Sequence, residues 1–173
     1  IRDRFFPNYA KAISELIIEQ QISFKAAISI KKKYNKIIAG LSDEQIIELD
    51  ENVLSEAGIS RMKINYIKNV YMFFLDYNED FNKLSNEEII KLLSSIKGVG
   101  SWTSEMFLIF VLFRENVFSK KDLALINSIK YNYNLKNLDD KKLNNLIKSW
   151  SPYNSIASLL LWKSIEEKIF YHA

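Results

Sequence analysis

Two glycines, Gly98 and Gly100, stand two residues apart in the segment Ile96–Trp102. Apolar residues repeat at helical spacing on both sides, so the pair marks a turn between two helices. Glycine is needed where the backbone takes a positive φ, or where a ligand approaches the main chain closely. The first amides of the second helix, with the helix dipole, form a site suited to a phosphate. Taken alone, the spacing favours a plain helix–helix turn, with phosphate binding as the alternative.

A second group suited to chemistry is the carboxyl group of Asp122, which follows the segment Val117–Lys121. Aspartate directly before an apolar helix is a common N-cap, because its side chain accepts a backbone N–H. A carboxylate at such a position can also stabilise a positive charge that develops on a substrate, or activate a water molecule. Taken alone, the residues favour the capping role, and both roles are compatible.

Composition excludes several other chemistries. The 173 residues include no cysteine, which excludes disulfides, a thiol nucleophile and zinc or iron–sulfur sites held by cysteine. A single histidine, His172, argues against a Ser–His–Asp triad and against a multi-histidine metal site. The net charge of +3 is compatible with nucleic-acid binding, but the abundance of Lys, Ile and Asn, typical of A+T-rich genomes, explains it equally well. No apolar run is long enough to span a membrane, and no signal peptide is visible.

Helical patterns occupy nearly the whole chain, which contains only four glycines and two prolines. Capping boxes are predicted at Ser42–Gln45 and Ser85–Glu88. A helix end is predicted at Gly58, and an apolar helix from Ser101 to about Phe113. Further helix starts are predicted at Ser23, Ser60, Asp122, Asp139 and Asn154. Neither strand-type alternation nor an internal repeat is present, so we expect an all-α protein of about nine or ten helices.

These motifs resemble those of the helix–hairpin–helix (HhH-GPD) superfamily of DNA glycosylases, in which a catalytic aspartate follows the hairpin. Here Asp122 lies 22 residues after Gly100. Other blocks occur in the family order: Glu19–Ser23 with Ala26 and Ala27, Gly58–Ser60 with Lys63, Tyr66 and Ile67, and Trp150–Ala157 leading to Trp162. The resemblance covers nearly the whole chain.

The resemblance implies a two-lobed helical fold with a cleft between the lobes. One lobe would comprise about residues 23–113, including the hairpin 96–101. The other would combine about residues 1–22 with residues 114–173. The separate N-terminal sheet domain that some alkylation glycosylases carry is expected to be absent.

Within the superfamily, the chain is most similar to the 3-methyladenine DNA glycosylase II branch, which removes alkylated bases. Bifunctional members carry a nucleophilic lysine two residues after the second glycine, whereas this chain has Trp102 there. An amine can form a Schiff base with the sugar and an indole cannot, so a monofunctional enzyme that uses water is implied. The lack of cysteine also argues against the branch resembling endonuclease III, which usually holds an iron–sulfur cluster.

The resemblance assigns roles to particular residues. Asp122 is the implied catalytic residue, and the implied base pocket comprises Trp102, Trp162, Met106 and Leu123. Gln21 is expected to fill the gap left by a flipped base, with Gln20 as a structural tie. Helical core is the alternative for the two tryptophans, and a solvated helix end for Gln21; Phe110 and Tyr153 are expected in supporting positions. The other implied DNA contacts are Ser23, Gly98, Val99, Gly100, Ser101 and Lys121.

No cofactor is expected to be required. The resemblance allows a Na⁺ or K⁺ ion at the hairpin when DNA is bound, held by the main-chain carbonyls of Ser94, Ile96 and Val99. Three positions depart from the family pattern. Ser119 replaces a proline and is expected to loosen the loop, Lys121 replaces an acidic residue, and Asn154 replaces an arginine. These departures point to altered specificity or to an inactive relative.

The expected partner is double-stranded DNA containing damaged bases, bound by an intracellular monomer that makes no membrane contact. Three alternatives stay open at this stage. They are a DNA- or damage-binding protein without catalysis, a glycosylase for oxidised or mismatched bases, and a helical scaffold with no nucleic-acid partner.

Overall fold

The computed structural model describes residues 8–169, and within that range the regular structure is helical throughout. The predicted all-α class and helix number are therefore confirmed for this part of the chain, whereas His172 and residues 1–7 lie outside it. No helix in residues 8–169 has the length and apolar character needed to cross a membrane. The described part of the chain contains ten α-helices: α1 (Tyr9–Glu19), α2 (Phe24–Ile37), α3 (Asp43–Glu48), α4 (Glu51–Glu56), α5 (Arg61–Asp76), α6 (Asn86–Leu93), α7 (Ser101–Phe110), α8 (Leu123–Asn132), α9 (Asp140–Trp150) and α10 (Asn154–Glu167). A 3₁₀ turn covers Phe81–Lys83.

Both predicted capping boxes are present. The amide of Gln45 donates to Ser42 Oγ at 3.3 Å, and the amide of Ser42 donates to Gln45 Oε1 at 2.9 Å. The pair Ser85 and Glu88 repeats this arrangement at 3.2 and 2.7 Å. Each cap satisfies amides that the helix leaves without a partner, a contribution of about 1 kcal/mol. Helices α3 and α6 therefore begin where short-range sequence rules place them.

The chain divides into two compact units, and the first extends to Phe107. In this unit α1, α3 and α4 pack against α5. One apolar face of α1 is buried, with Ala12, Ile13, Leu16 and Ile17 each at most 4% exposed. Gly58 follows α4 with φ of +94°, which confirms the predicted helix end. Helix α1 therefore lies in the first unit, whereas the sequence pattern predicted that residues 1–22 group with the C-terminal helices.

The second unit begins at Leu108 and contains α8, α9 and α10. Its core is formed by Leu125, Ile129, Leu143 and Leu161. A buried polar cluster crosses from α8 to α10. Ser128 Oγ donates to the carbonyl of Leu161 at 2.7 Å, and the amide side chain of Asn132 donates to Ser164 Oγ at 2.9 Å. The hydroxyls of Ser128 and Ser164 lie 2.8 Å apart, so polar groups on both helices satisfy one another.

Helix α7 is shorter than predicted. The apolar pattern runs to Phe113, but the helix ends at Phe110. Phe113 adopts a left-handed conformation with φ of +54°, and the amide of Arg114 donates back to the carbonyl of Leu108 at 2.9 Å. A left-handed residue reverses the chain direction and ends a right-handed helix. No glycine or proline marks this end in the sequence, so the apolar pattern overestimated the length of α7.

A pair of buried tyrosines in the first unit predicts that its stability falls in alkali. Tyr34 and Tyr71 are fully buried, and their hydroxyl oxygens lie 3.1 Å apart. Burial raises the pKa of Tyr34 to about 12 and holds the pKa of Tyr71 well above its ordinary value. An unfolded tyrosine ionises near pH 10, roughly, so the unfolded chain releases these protons first. Stability is then fully present below about pH 10 and is lost as the pH rises toward 12 and beyond.

We therefore expect the free energy of unfolding to fall by about 1.4 kcal/mol per pH unit for each buried tyrosine above about pH 10. Urea denaturation at pH 9 and at pH 11 measures this fall. Tyr71→Phe removes one of the two ionisable groups, so its pH dependence is expected to be shallower. An identical slope in this variant and in the unmodified chain would show that other groups cause the loss.

Candidate functional site

The carboxylate of Asp122 lies at the N-terminus of α8 in the second unit. Its Oδ1 accepts the amide hydrogen of Leu125 at 2.9 Å, and the side chain is only 8% exposed. The amide of Asp122 donates to the carbonyl of Ser119 at 3.2 Å, which closes the preceding turn. The predicted capping role is thus confirmed. The cap also fixes a nearly buried carboxylate in one orientation, as a group that acts on a substrate requires.

An aromatic pair lies beside this carboxylate. The indole Nε1 of Trp162, on α10, donates to the same Oδ1 of Asp122 at 3.3 Å. The ring of Phe110 stacks against the indole, with ring centroids 5.5 Å apart and an interplanar angle of 29°. The structure therefore brings together Asp122 and Trp162, which the family resemblance assigned to the same site. The stacking on Trp162 agrees with the supporting position expected for Phe110, but no local pattern predicts this contact, because the two residues are far apart along the chain.

The loop that leads to Asp122 is fastened to the start of α10. Ser155 Oγ donates to the carbonyl of Arg114 at 2.5 Å, and the same oxygen accepts the amide hydrogen of Val117 at 3.0 Å. The side chain of Asn154 donates to Asn116 Oδ1 at 2.5 Å. Ser119, which stands in place of the family proline, is fully buried. These bonds restrain the loop without any contribution from a proline ring at position 119.

The other predicted pocket residues have different environments. Trp162 is partly buried, whereas Leu123, the first residue of α8, is 76% exposed. Trp102 and Met106 lie in the first unit on α7, where Trp102 is partly buried and Met106 is 3% exposed. Tyr153 is 55% exposed, so its expected supporting position is not a buried one. A shared base pocket for the four predicted residues stays a prediction.

The two glycines of the hairpin have different roles in the first unit. Gly98 has φ of +103°, and a Cβ there would lie 2.1 Å from Cγ of Tyr66. Gly100 lacks a left-handed φ, and a Cβ there would meet no atom within 4 Å. Gly98 is therefore required by the fold, whereas Gly100 keeps a smooth surface beside the start of α7. Open space next to the first amides of a helix is where an anion binds.

Residues around the hairpin hold it in place. Gln20 Nε2 donates to the carbonyl of Gly98 at 3.2 Å and to Thr103 Oγ1 at 2.9 Å, which confirms the expected structural tie. Asn69 Nδ2 donates to the carbonyl of Lys97 at 3.3 Å. Val99 is 5% exposed, so a DNA contact at this position would involve its main chain. Ser101 is the first residue of α7.

The remaining predicted DNA contacts lie at two places. Gln21 is exposed, with φ of +55°, just after α1. Ser23 caps α2, because its Oγ accepts the amide hydrogen of Ala26 at 3.3 Å. Lys121 is exposed and directly precedes Asp122 in the second unit.

The donor set at the hairpin suits a monovalent cation. Main-chain carbonyls are hard oxygen ligands, and in residues 8–169 no described hydrogen bond ends on the carbonyl of Ser94 or of Val99. The carbonyl of Ile96 accepts the amide hydrogen of Val99 at 3.0 Å and keeps its second lone pair. These oxygens are of the kind that a Na⁺ or K⁺ ion takes as ligands, and an ion at this place stays a prediction. In the same described range, no cluster of three or more His, Asp or Glu side chains is suited to a metal.

Residues 14–152 match the model of a protein family, the HhH-GPD superfamily of base excision DNA repair proteins. This match covers well over half of the chain, and the glycine hairpin lies inside it together with Asp122. The chain belongs to this superfamily.

Its relatives place it in the alkylation-repair branch. The chain is 31% identical over 158 residues to DNA-3-methyladenine glycosylase 1 of Schizosaccharomyces pombe, covering 86% of this chain and 68% of that protein. It is 32% identical over 165 residues to a putative DNA-3-methyladenine glycosylase of Bacillus subtilis, covering 87% of this chain and 56% of that protein. The chain thus spans little more than half the length of the Bacillus relative.

Solved structures agree with this placement. A DNA-3-methyladenine glycosidase from Bacillus halodurans has a TM-score of 0.77 at 33% identity, covering 97% of this chain and 81% of that one. The 3-methyladenine DNA glycosylase of Schizosaccharomyces pombe in complex with abasic DNA has a TM-score of 0.78 at 30% identity, covering 91% and 80%.

Proposed function

We propose that this chain is a monofunctional DNA glycosylase of base excision repair, which hydrolyses the N-glycosidic bond of alkylated purines such as 3-methyladenine. The observation that carries the proposal is the nearly buried carboxylate of Asp122, oriented by the amide of Leu125 and the indole of Trp162. Its setting in this superfamily supports the assignment. The relative bound to abasic DNA, which is DNA that lacks a base, supports DNA as the partner.

The reaction needs stabilisation of the sugar more than activation of the base. Removing a base from the stack costs a few kcal/mol of free energy, and less when the base is damaged. An alkylated purine such as 3-methyladenine is cationic, so it departs as a neutral base with the electron pair of the C1′–N bond. The sugar becomes electron-deficient, and a nearby carboxylate stabilises it. Water then forms the C1′–O bond, and Asp122 is suited to accept its proton.

The monofunctional assignment rests on Trp102. A bifunctional enzyme forms a Schiff base between a lysine amine and the sugar, whereas an indole nitrogen has no such reactivity. Water is therefore the nucleophile in the proposed reaction. The aromatic faces of Trp102 and Trp162 suit a flat, electron-poor purine through stacking and cation–π attraction. Met106 and Leu123 complete the proposed pocket.

The proposed DNA contacts of the first unit combine electrostatic and main-chain contacts with one inserted side chain. The open surface at Gly100 and the start of α7 accept a phosphate. A Na⁺ or K⁺ ion on the carbonyls of Ser94, Ile96 and Val99 would add positive charge beside that phosphate. Gln21 would fill the gap that the flipped base leaves. The proposed working form is a monomer on damaged duplex DNA.

A panel of duplexes, each with one defined lesion, tests the function by the appearance of free base. The panel includes 3-methyladenine and 7-methylguanine as alkylated purines, and 8-oxoguanine and uracil as other lesions. We expect release of alkylated purines and no covalent adduct after borohydride treatment. Salt-sensitive duplex binding without release of any base would indicate a binding protein instead, and a trapped adduct would contradict the monofunctional assignment.

A further inference from the structure

The residue after the α1 C-cap has a strained backbone. Gln21 has φ of +55°, a left-handed conformation that costs a residue with a side chain about 1–2 kcal/mol. The side chain is exposed, so burial of Gln21 does not repay this cost. Gln21 belongs to the turn at residues 20–22, the α1 corner. A cavity of about 210 Å³ opens beside this corner, lined in part by Ile18, Gln21 and Ile22. The conformation of Gln21 therefore depends on polar contacts nearby rather than on dense packing behind it.

Those contacts come from Lys63, on α5. Its ammonium group donates to the carbonyl of Ile18 at 2.8 Å and to the carbonyl of Gln20 at 2.6 Å. The last carbonyls of a helix lack intrahelical partners and form the negative end of its dipole. The last turn of α1 has no basic residue of its own, so a cation from α5 fills this place. Burial lowers the pKa of Lys63, in keeping with an ammonium group that faces the protein.

The same corner is joined to the hairpin. Gln20 makes both connections. Its main-chain carbonyl accepts a hydrogen bond from Lys63, and its side-chain amide donates to the carbonyl of Gly98. Lys63 thus acts on the main chain immediately before Gln21, and Gln20 links that segment to the proposed phosphate site. Both attachments lie within the first unit.

We infer that Lys63 is a positioning residue, whose ammonium group fixes the α1 corner so that Gln21 is held ready to enter the DNA stack. This inference rests on the proposed function and deepens it. Two of the three ammonium donors are directed to main-chain carbonyls, so the inferred effect of Lys63 on Gln21 passes through the main chain.

Four variants test the inference: Gln21→Ala, Lys63→Met, the double variant, and Lys63→Arg, whose guanidinium group can still bridge two carbonyls. Single-turnover base release is measured from a duplex and from a single strand that carry the same lesion. We expect each single variant to slow release from the duplex by about tenfold or more, and the double variant to be no slower than Gln21→Ala. Release from the single strand, which has no partner base to replace, should change by less than about twofold. Lys63→Arg should recover most of the duplex rate.

Lys68→Met is the matched control. Lys68 lies on the same helix and donates to the carbonyl of Leu49, the C-cap of α3, at 2.7 Å. This variant loses a comparable helix-end bond away from Gln21, so it should lower the melting temperature without slowing release. Should Lys63→Met fail to fold, Lys63→Gln takes its place.

Insertion is also measured without catalysis. A duplex with a tetrahydrofuran abasic analogue opposite 2-aminopurine reports by fluorescence when a side chain enters the gap. Lys63→Met should lose this signal as Gln21→Ala does. The inference is overturned if the two substitutions multiply in the double variant, if single-strand release falls equally, or if Lys63→Met keeps the signal. Absence of base release by the unmodified chain, with the fluorescence signal intact, would count against the proposed function alone.

Discussion

Asp122→Asn is expected to slow base release by about 10²- to 10⁴-fold while leaving duplex binding and melting temperature near those of the unmodified chain. The side-chain amide of asparagine keeps an oxygen that accepts from the amide of Leu125 and the indole of Trp162, so the cap survives. What the substitution removes is the negative charge, together with the ability to take a proton from water. Single-turnover excision of an alkylated purine measures the loss.

Asp139→Asn provides the control within the same unit. Asp139 caps α9 by accepting the amide hydrogen of Lys142 at 2.8 Å, and its side chain is exposed. The same chemical change there should leave the rate unaltered. Trp162→Phe gives a graded case, because it keeps a ring for Phe110 but deletes the indole donor, and a loss of about five- to tenfold is expected. A rate for Asp122→Asn within a few fold of the unmodified chain would remove Asp122 from the chemistry.

The second large effect is expected at the hairpin, where the two glycines should respond differently to alanine. Gly98→Ala places a Cβ 2.1 Å from Cγ and 2.4 Å from Cβ of Tyr66, at a φ of +103° that alanine rarely adopts. These are inner atoms of the tyrosine side chain, so relief requires movement of α5 or of the hairpin. We expect a loss of stability of about 2–4 kcal/mol, from strain and overpacking together.

Gly100→Ala should fold normally, because its Cβ meets no atom within 4 Å and its φ is not left-handed. If a phosphate approaches this surface, the added methyl group weakens duplex binding by about tenfold. Thermal melting and duplex affinity at a fixed salt concentration separate the two effects. A Gly100→Ala variant with unchanged affinity would place the phosphate elsewhere, and a stable Gly98→Ala variant would contradict the steric argument.

Local rules predicted the starts of α2, α3, α5, α6, α8 and α9 because both partners of each of these caps lie within three residues. Ser85 with Glu88 is fully specified by that spacing, and so is the bond from the amide of Leu125 to Asp122. The second bond to the carboxylate comes from Trp162, 40 residues further along. Only the family resemblance placed that indole near Asp122, since nothing in the local pattern does so.

The features that the sequence missed depend on contacts between distant segments and the main chain. Lys63 bonds to the carbonyls of Ile18 and Gln20, and any residue type supplies a carbonyl, so this pairing leaves no sequence signature. The early end of α7 is similar, because Phe113 is apolar and continues the helical pattern while its backbone reverses. The packing of α1 against α5 is likewise not specified by the sequence pattern, because several helices have similar apolar faces that α1 could pack against.

The buried serines and asparagine between α8 and α10 fix the position of α10 along α8, and with it the geometry of the site. Ser128 lies six residues after Asp122, about 9 Å along the helix axis. If α10 slid by one residue, Ser164 would leave Ser128 and Asn132, and each stranded polar group would cost about 1–3 kcal/mol. Leucines alone would tolerate such a slip. This polar cluster therefore keeps α8 and α10 in one register, in which the indole of Trp162 lies beside the Asp122 carboxylate.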